Sequence, residues 1–107
     1  MKKLHTPDRP VCFAGKVVLE FFNNSDEDFK RKALRDLTRD LRKEWNVSCA
    51  VVEEYLVENP ERGALAIALV GVNHDKARAL WDEAVKFLDG RAPARIVDED
   101  FQEGEIE

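Results

Sequence analysis

The run KRKALRDLTRDLRKEWNVS, residues 30–48, decides how the rest of the chain is read. Ala33, Leu34, Leu37, Leu41 and Trp45 recur at helical spacing and make one apolar stripe. Arg31, Arg35, Arg39 and Arg42 fall on the side away from that stripe, and Asp36, Asp40 and Glu44 form a separate ridge. A helix with one apolar stripe buries it against another layer, and Val47 leads straight into strand-like sequence. The expected arrangement is a helix lying on a sheet with its arginines turned to water.

Ser25 is the expected N-cap of this helix, and Asp28, three residues on, completes a variant of the capping box. Asp26, Glu27 and Asp28 then occupy the first turn, where the positive end of the helix favours carboxylates. At the far end Asn46 is the residue expected in the left-handed conformation that often follows a helix.

Upstream, Val11 to Phe22 reads as a strand: Phe13, Val17, Leu19 and Phe21 share one parity, Cys12, Ala14, Val18 and Phe22 the other. Asn23 and Asn24 break it. Downstream, Val47 to Val57 is a second strand, with Val47, Cys49, Val51, Tyr55 and Val57 on one parity and Glu53 interrupting. The run ENPERG, residues 58–63, has turn composition. Ala64 to Val72 is a third strand, in which Leu65, Ile67 and Leu69 are expected to meet the helices and Ala64, Ala66, Ala68 and Val70 to face the other way. Asn73 caps a second helix carrying Ala77, Leu80, Trp81, Ala84, Val85 and Leu88, which Gly90 and Pro93 end. Ala94 to Phe101 is a weaker fourth strand.

The order β-α-β-β-α-β, with two right-handed split crossovers, predicts an α+β ferredoxin-like sandwich: a four-stranded antiparallel sheet of order 4-1-3-2 with both helices on one face. Its 107 residues suffice for one core without disulfides or metal. The expected organisation is a loose N-terminal arm at 1–10, the domain at 11–101 and an acidic tail at 102–107. Cys12 and Cys49 lie on separate strands without CxxC spacing, so both read as small hydrophobes in a reducing cytoplasm. No apolar run reaches membrane-spanning length, and His5, Pro7, Asp8, Arg9 and Pro10 stand where a signal peptide would be apolar.

Most chemistries find no residues here. His5 and His74, the two histidines, lie in the arm and at a helix start, which leaves no base beside a nucleophile. No clustered Cys and His mark a metal site, and no phosphate loop, dinucleotide glycine pattern or His-Glu-x-x-His motif occurs. Neither catalytic residues nor a cofactor are expected. Glu53 with Glu54, and Asp98, Glu99 and Asp100, read as solvated charges. RNA-recognition domains of this topology stack bases on third-strand aromatics, yet the residues after Arg62 and Gly63 are Ala64, Leu65, Ala66, Ile67, Ala68 and Leu69. An acylphosphatase is also unexpected, since residues 21–29 are acidic and free of glycine.

The chain carries a formal charge of −5, but residues 30–43 hold seven Lys/Arg and two Asp, a local +5, so the remainder sums to −10. A basic ridge on an acidic protein is the strongest candidate for a binding surface, with Arg31, Arg35, Arg39, Arg42 and Lys43 as its residues. The acidic tail is a candidate to fold back over it.

The stretch from Lys30 through Arg42, followed by Trp45, Asn46, Val47 and Ser48, resembles the YlxP-like proteins, small bacterial ferredoxin-like proteins of unassigned function. Their first helix typically begins S-L-K-x-K-R and ends on an aromatic followed by Asn-Val-Ser. Asn73, His74 and Asp75 match the start of their second helix, and the resemblance spans roughly residues 14–101. Asp26, Glu27, Asp28 and Phe29 depart from it by making a basic helix start acidic. The resemblance implies a gene often found beside those of translation-initiation and ribosome-maturation factors, and hence a role near the ribosome or RNA. It supplies no catalytic residues. The expected function is a non-enzymatic binding module whose partner is structured RNA, the ribosome or a translation factor. The alternatives are a homodimer formed through the sheet face or an edge strand, and a small-molecule sensor using that face.

Overall fold

The computed structural model describes residues 9–52, 59–89, 91 and 94–106. In chain order the elements are β1 (Val11–Phe21), α1 (Glu27–Glu44), β2 (Ser48–Val51), β3 (Arg62–Gly71), α2 (His74–Asp89) and β4 (Ala94–Glu105). All three pairings are antiparallel, and the strands lie in the order β2-β3-β1-β4. This is the ferredoxin-like α+β fold that the alternation of strand and helix periods predicted. Of the arm expected at 1–10 only Arg9 and Pro10 are described, and Tyr55, Val57, Gly90 and Pro93 fall outside the described residues.

One sheet face is covered by both helices, α1 over β2 and β3, α2 over β1, β3 and β4. Strand parity sorts the residues as expected. Phe13, Val17, Leu19 and Phe21 of β1 and Leu65, Ile67 and Leu69 of β3 are buried with Leu34, Leu37 and Leu41 of α1 and Ala77, Trp81, Ala84 and Leu88 of α2. Each large aliphatic side chain buried there favours the fold by about 1.5–3 kcal/mol before the entropy of ordering it. On the opposite face Ala14, Ala50, Ala66 and Val70 remain exposed.

The helix boundaries differ from those expected by small, physically traceable steps. The N-cap of α1 is Asp26, not Ser25: its Oδ1 accepts from the Asp28 and Phe29 amides at 2.9 and 3.4 Å. The chain reaches that position because Asn23 turns it with φ 53°, and because the Asn24 amide donates to Pro60 O at 2.8 Å while its Oδ1 accepts from Asp26 N. At the other end Trp45 is the C-cap in an extended conformation, φ −131° and ψ 152°, and its amide donates to Leu41 O. Among the described residues Asn23 is the non-glycine residue with positive φ, so Asn46 does not take the left-handed form. With β2 beginning at Ser48, a direct extended exit leaves no length for a left-handed turn. The cap of α2 is as expected, Asn73 Oδ1 accepting from Lys76 N at 2.9 Å.

The larger correction concerns the acidic segment. Residues 102–105 are the last third of β4, paired with β1 as far as Val11↔Glu105, and Ile106 N extends the ladder to Pro10 O. Lying in the edge strand farthest from α1's side of the sheet, they do not fold over the α1 arginines. Val97 is the extra residue of a bulge, since Val18 pairs with Asp98 but Leu19 with Ile96. A bulge and a row of acids are both devices that keep a long edge strand from pairing with another chain.

At Gly15, paired with Phe101, the strands β1 and β4 come together too closely for any side chain. A Cβ there would lie 2.2 Å from Asp100 O and 2.5 Å from Phe101 Cβ. Gly15→Ala is therefore expected to cost about 2 kcal/mol, or about 10 °C in Tm by thermal melting. An unchanged melt would show that β4 gives way without cost.

Candidate functional site

The face of α1 turned from the sheet presents Arg31, Arg35, Arg39, Arg42 and Lys43, all exposed, while Leu34, Leu37 and Leu41 lie beneath them. Four of these five are arginines, and they differ in what they touch. Arg31 lies 3.6 Å from Glu27. Arg39 reaches Asp36 at 3.1 Å and Asp40 at 3.2 Å, and Lys32 holds Asp36 from the other side at 2.9 Å. Among the described residues Arg35 and Lys43 have no ion-pair partner. The hydrogen bond from Lys32, aided by the charge of Arg39, holds the Asp36 carboxyl below its usual range. A depressed native pKa makes the pairing favourable above the unfolded carboxylate pKa, and that gain is lost as pH falls through the native one.

Counted over its whole length α1 carries seven bases and five acids, a net charge of +2. The ridge is therefore a lattice of alternating charge rather than a uniform cationic stripe.

Arg42 has a structural task that sequence spacing does not show. Its Nη2 donates to Cys49 O at 2.7 Å and so closes part of the outer edge of β2. Beside it the Cys49 thiol is buried and donates to Thr38 O at 3.5 Å. Burial raises the Cys49 pKa, Arg42 pulling the other way, which keeps the sulfur neutral and unreactive at ordinary pH.

Lys30, one of the seven bases of residues 30–43, is fully buried. Its Nζ donates to Asn59 O at 2.7 Å and Arg62 O at 2.9 Å, and lies 2.9 Å from Glu27 Oε1. It ties the start of α1 to the turn before β3. The signal was present in the spacing: Lys30 stands four residues before Leu34 and seven before Leu37, on the apolar stripe.

On the other side of the molecule Glu99, expected to be purely solvated, and Glu103 of the expected tail have partners on α2. Glu99 accepts the Trp81 indole N–H at 2.9 Å, and Glu103 lies 2.6 Å from His74 Nδ1. Arg78 stands over the Phe101 ring at 5.2 Å. His74 is the first residue of α2, as expected, and His5, Glu53 and Glu54 are outside the described residues.

Two surface features were not anticipated. Trp45, at the end of α1, and Phe87 of α2 meet edge to face at 4.7 Å, with the Arg91 guanidinium 4.2 Å from the Phe87 centroid. They line a groove of about 420 Å³ together with Glu83 and Lys86. Forty-two positions separate the two rings; each falls on the apolar side of its own helix and packs on the core, but nothing local in the sequence brings the two together. The second is a shallow depression of about 310 Å³ on the open sheet face, lined chiefly by Ala14, Ser48, Ala50, Ala66 and Ala68.

Among the described residues no helix is long and apolar enough to cross a membrane. No curated protein matches the chain. A protein family described as "Protein of unknown function (DUF503)" matches residues 28–101, which run from the first turn of α1 into β4 and take in both helices. With more than half its length matched, the chain belongs to the DUF503 family.

Proposed function

We propose that the protein is a non-enzymatic binding module of the YlxP-like kind, which docks on structured RNA in the setting of the ribosome or of translation through the exposed face of α1. The observation that carries this reading is the pair Arg35 and Lys43, exposed cations without a carboxylate partner among the described residues, on a helix face whose apolar side is committed to the core. Exposed ion pairs add little to stability, so fold stability does not account for this density of arginine. Arg31, Arg39 and Arg42 are the flanking contacts, able to exchange an intramolecular acid or carbonyl for a phosphate oxygen.

Retention on ribosomes or structured RNA at low salt is the expected result, with a log–log salt slope of about −3 for three or four phosphate contacts. Changing Arg35, Arg39 and Lys43 to Glu should weaken retention at least tenfold while the circular-dichroism spectrum stays unchanged. Retention that ignores both salt and charge reversal would overturn the reading.

A second reading, self-association or capture of a small molecule on the open sheet face, is favoured by one observation. Val70 is exposed on that face, and Phe22 is exposed at its other end under Arg95, with the alanine-lined depression between. Sedimentation across a wide concentration range separates the cases: a dimer favours self-association, and a monomer throughout excludes it.

A further inference from the structure

The groove between the helix ends carries a further step, which rests on the RNA reading above. Aromatic rings that serve only as core lie inside; Trp45 and Phe87 are half-buried and sit at the rim of an open groove among Glu83, Lys86 and Arg91. Arg91 already stands over Phe87, its guanidinium carbon 4.2 Å from the ring centroid. Ring faces, a guanidinium plane and an ammonium group are the chemistry that holds an unpaired base and its neighbouring phosphate. A duplex does not satisfy such a site, because its bases are already stacked on one another.

We propose that this groove receives one unpaired base of an RNA strand, stacked against Trp45 and the Phe87–Arg91 pair, with Lys86 on an adjoining phosphate. Lys43 stands two residues before Trp45 in the last turn of α1, about 200° around the helix, so the proposed strand crosses the end of the helix to reach the basic face. Glu83 shares the rim and repels phosphate; its carboxylate suits an exocyclic amino group, which sets the base rather than the backbone on that side. The sheet, which lacks third-strand aromatics, is not the stacking platform in this scheme. The platform belongs to the helical layer.

The test uses the full chain and two probes, a twelve-nucleotide single-stranded RNA of mixed sequence and the same sequence as a blunt duplex, both at low salt. Trp45→Ala is expected to weaken single-strand binding about tenfold and to leave duplex binding within twofold. Trp45→Phe, which keeps a stacking face, should retain single-strand affinity within about threefold. Trp45 and Trp81 are the chain's two tryptophans and Trp81 is buried, so quenching on binding the single strand reports Trp45 and should vanish in Trp45→Phe. An equal loss for both probes in Trp45→Ala, or no loss for either, overturns the inference. If charge reversal on α1 still weakens both probes in that event, the RNA reading stands without the groove. If neither probe binds the unaltered protein at low salt, the RNA reading falls and the groove inference falls with it.

Discussion

Trp81→Ala is expected to lower the stability of the domain by about 4 kcal/mol, read as a fall in the urea midpoint at constant m value. The indole is fully buried and faces the Phe101 ring at 4.8 Å and the Phe13 ring at 6.4 Å; those two rings stack on each other at 4.9 Å. Removing it forfeits the transfer energy of the largest side chain in the core and leaves a cavity bounded by β1 and β4, whose close approach at Gly15 resists collapse. The lost bond to Glu99 adds little, because that carboxylate is exposed and water replaces the donor. Domains of this size are stable by roughly 5–15 kcal/mol, so the variant should sit near the margin of folding. A loss under about 1 kcal/mol would contradict the core position of the ring.

The second large effect is at Lys30. Lys30→Ala is expected to cost about 3 kcal/mol, the lower end of the range for breaking a buried charged contact, because Arg31 still lies 3.6 Å from Glu27 once the ammonium is gone. Without the ammonium, Asn59 O and Arg62 O lose a charged donor, and the Glu27 oxygens, which are shielded from solvent, lose their nearest cation. Lys30→Met separates hydrogen bonding from packing. It should be nearly as destabilising as Ala if the ammonium matters, and should recover most of the loss if only the methylene stem does. Arg35→Ala, about one and a half turns away on the solvated side, is the control and should change stability by less than about 0.5 kcal/mol.

These two residues mark what periodicity makes legible and what it does not. Trp81 was assigned to the core because it recurs with Ala77, Ala84 and Leu88 on a 3.6-residue period, and period is a property of neighbouring residues alone. Lys30 falls on the α1 stripe by the same period, but a period alone does not mark a charged residue as core. The carbonyls of Asn59 and Arg62, together with the Glu27 carboxylate, make an ammonium acceptable there, and the carbonyls arrive only through tertiary packing. The acidic run after Phe101 failed for the converse reason. Glutamates have little preference for strands, yet β1 offers a ladder that begins at Val11 and leaves an edge for residues 102–105 to fill.

The candidate binding surface divides in the same way. That Arg31, Arg35, Arg39, Arg42 and Lys43 face water followed from the leucine stripe opposite them, and the Lys32–Asp36 and Arg39–Asp36 pairs follow from spacings of four and three. The bond from Arg42 to Cys49 O, the Glu99 partner of Trp81 and the aromatic groove could not be read in advance, because each depends on how one element packs against another rather than on the period within either.

Taken alone, the amino-acid order determined the element types and which side of each element is buried, through repeats of two or 3.6 residues that the backbone imposes locally, and the strand order, through the right-handedness of the two crossovers. Tertiary packing decided where α1 starts and stops, how far β4 runs, which cations remain unpaired and which rings meet at the helix ends. Those outcomes depend on distances between segments that become neighbours only when the sheet closes beneath both helices.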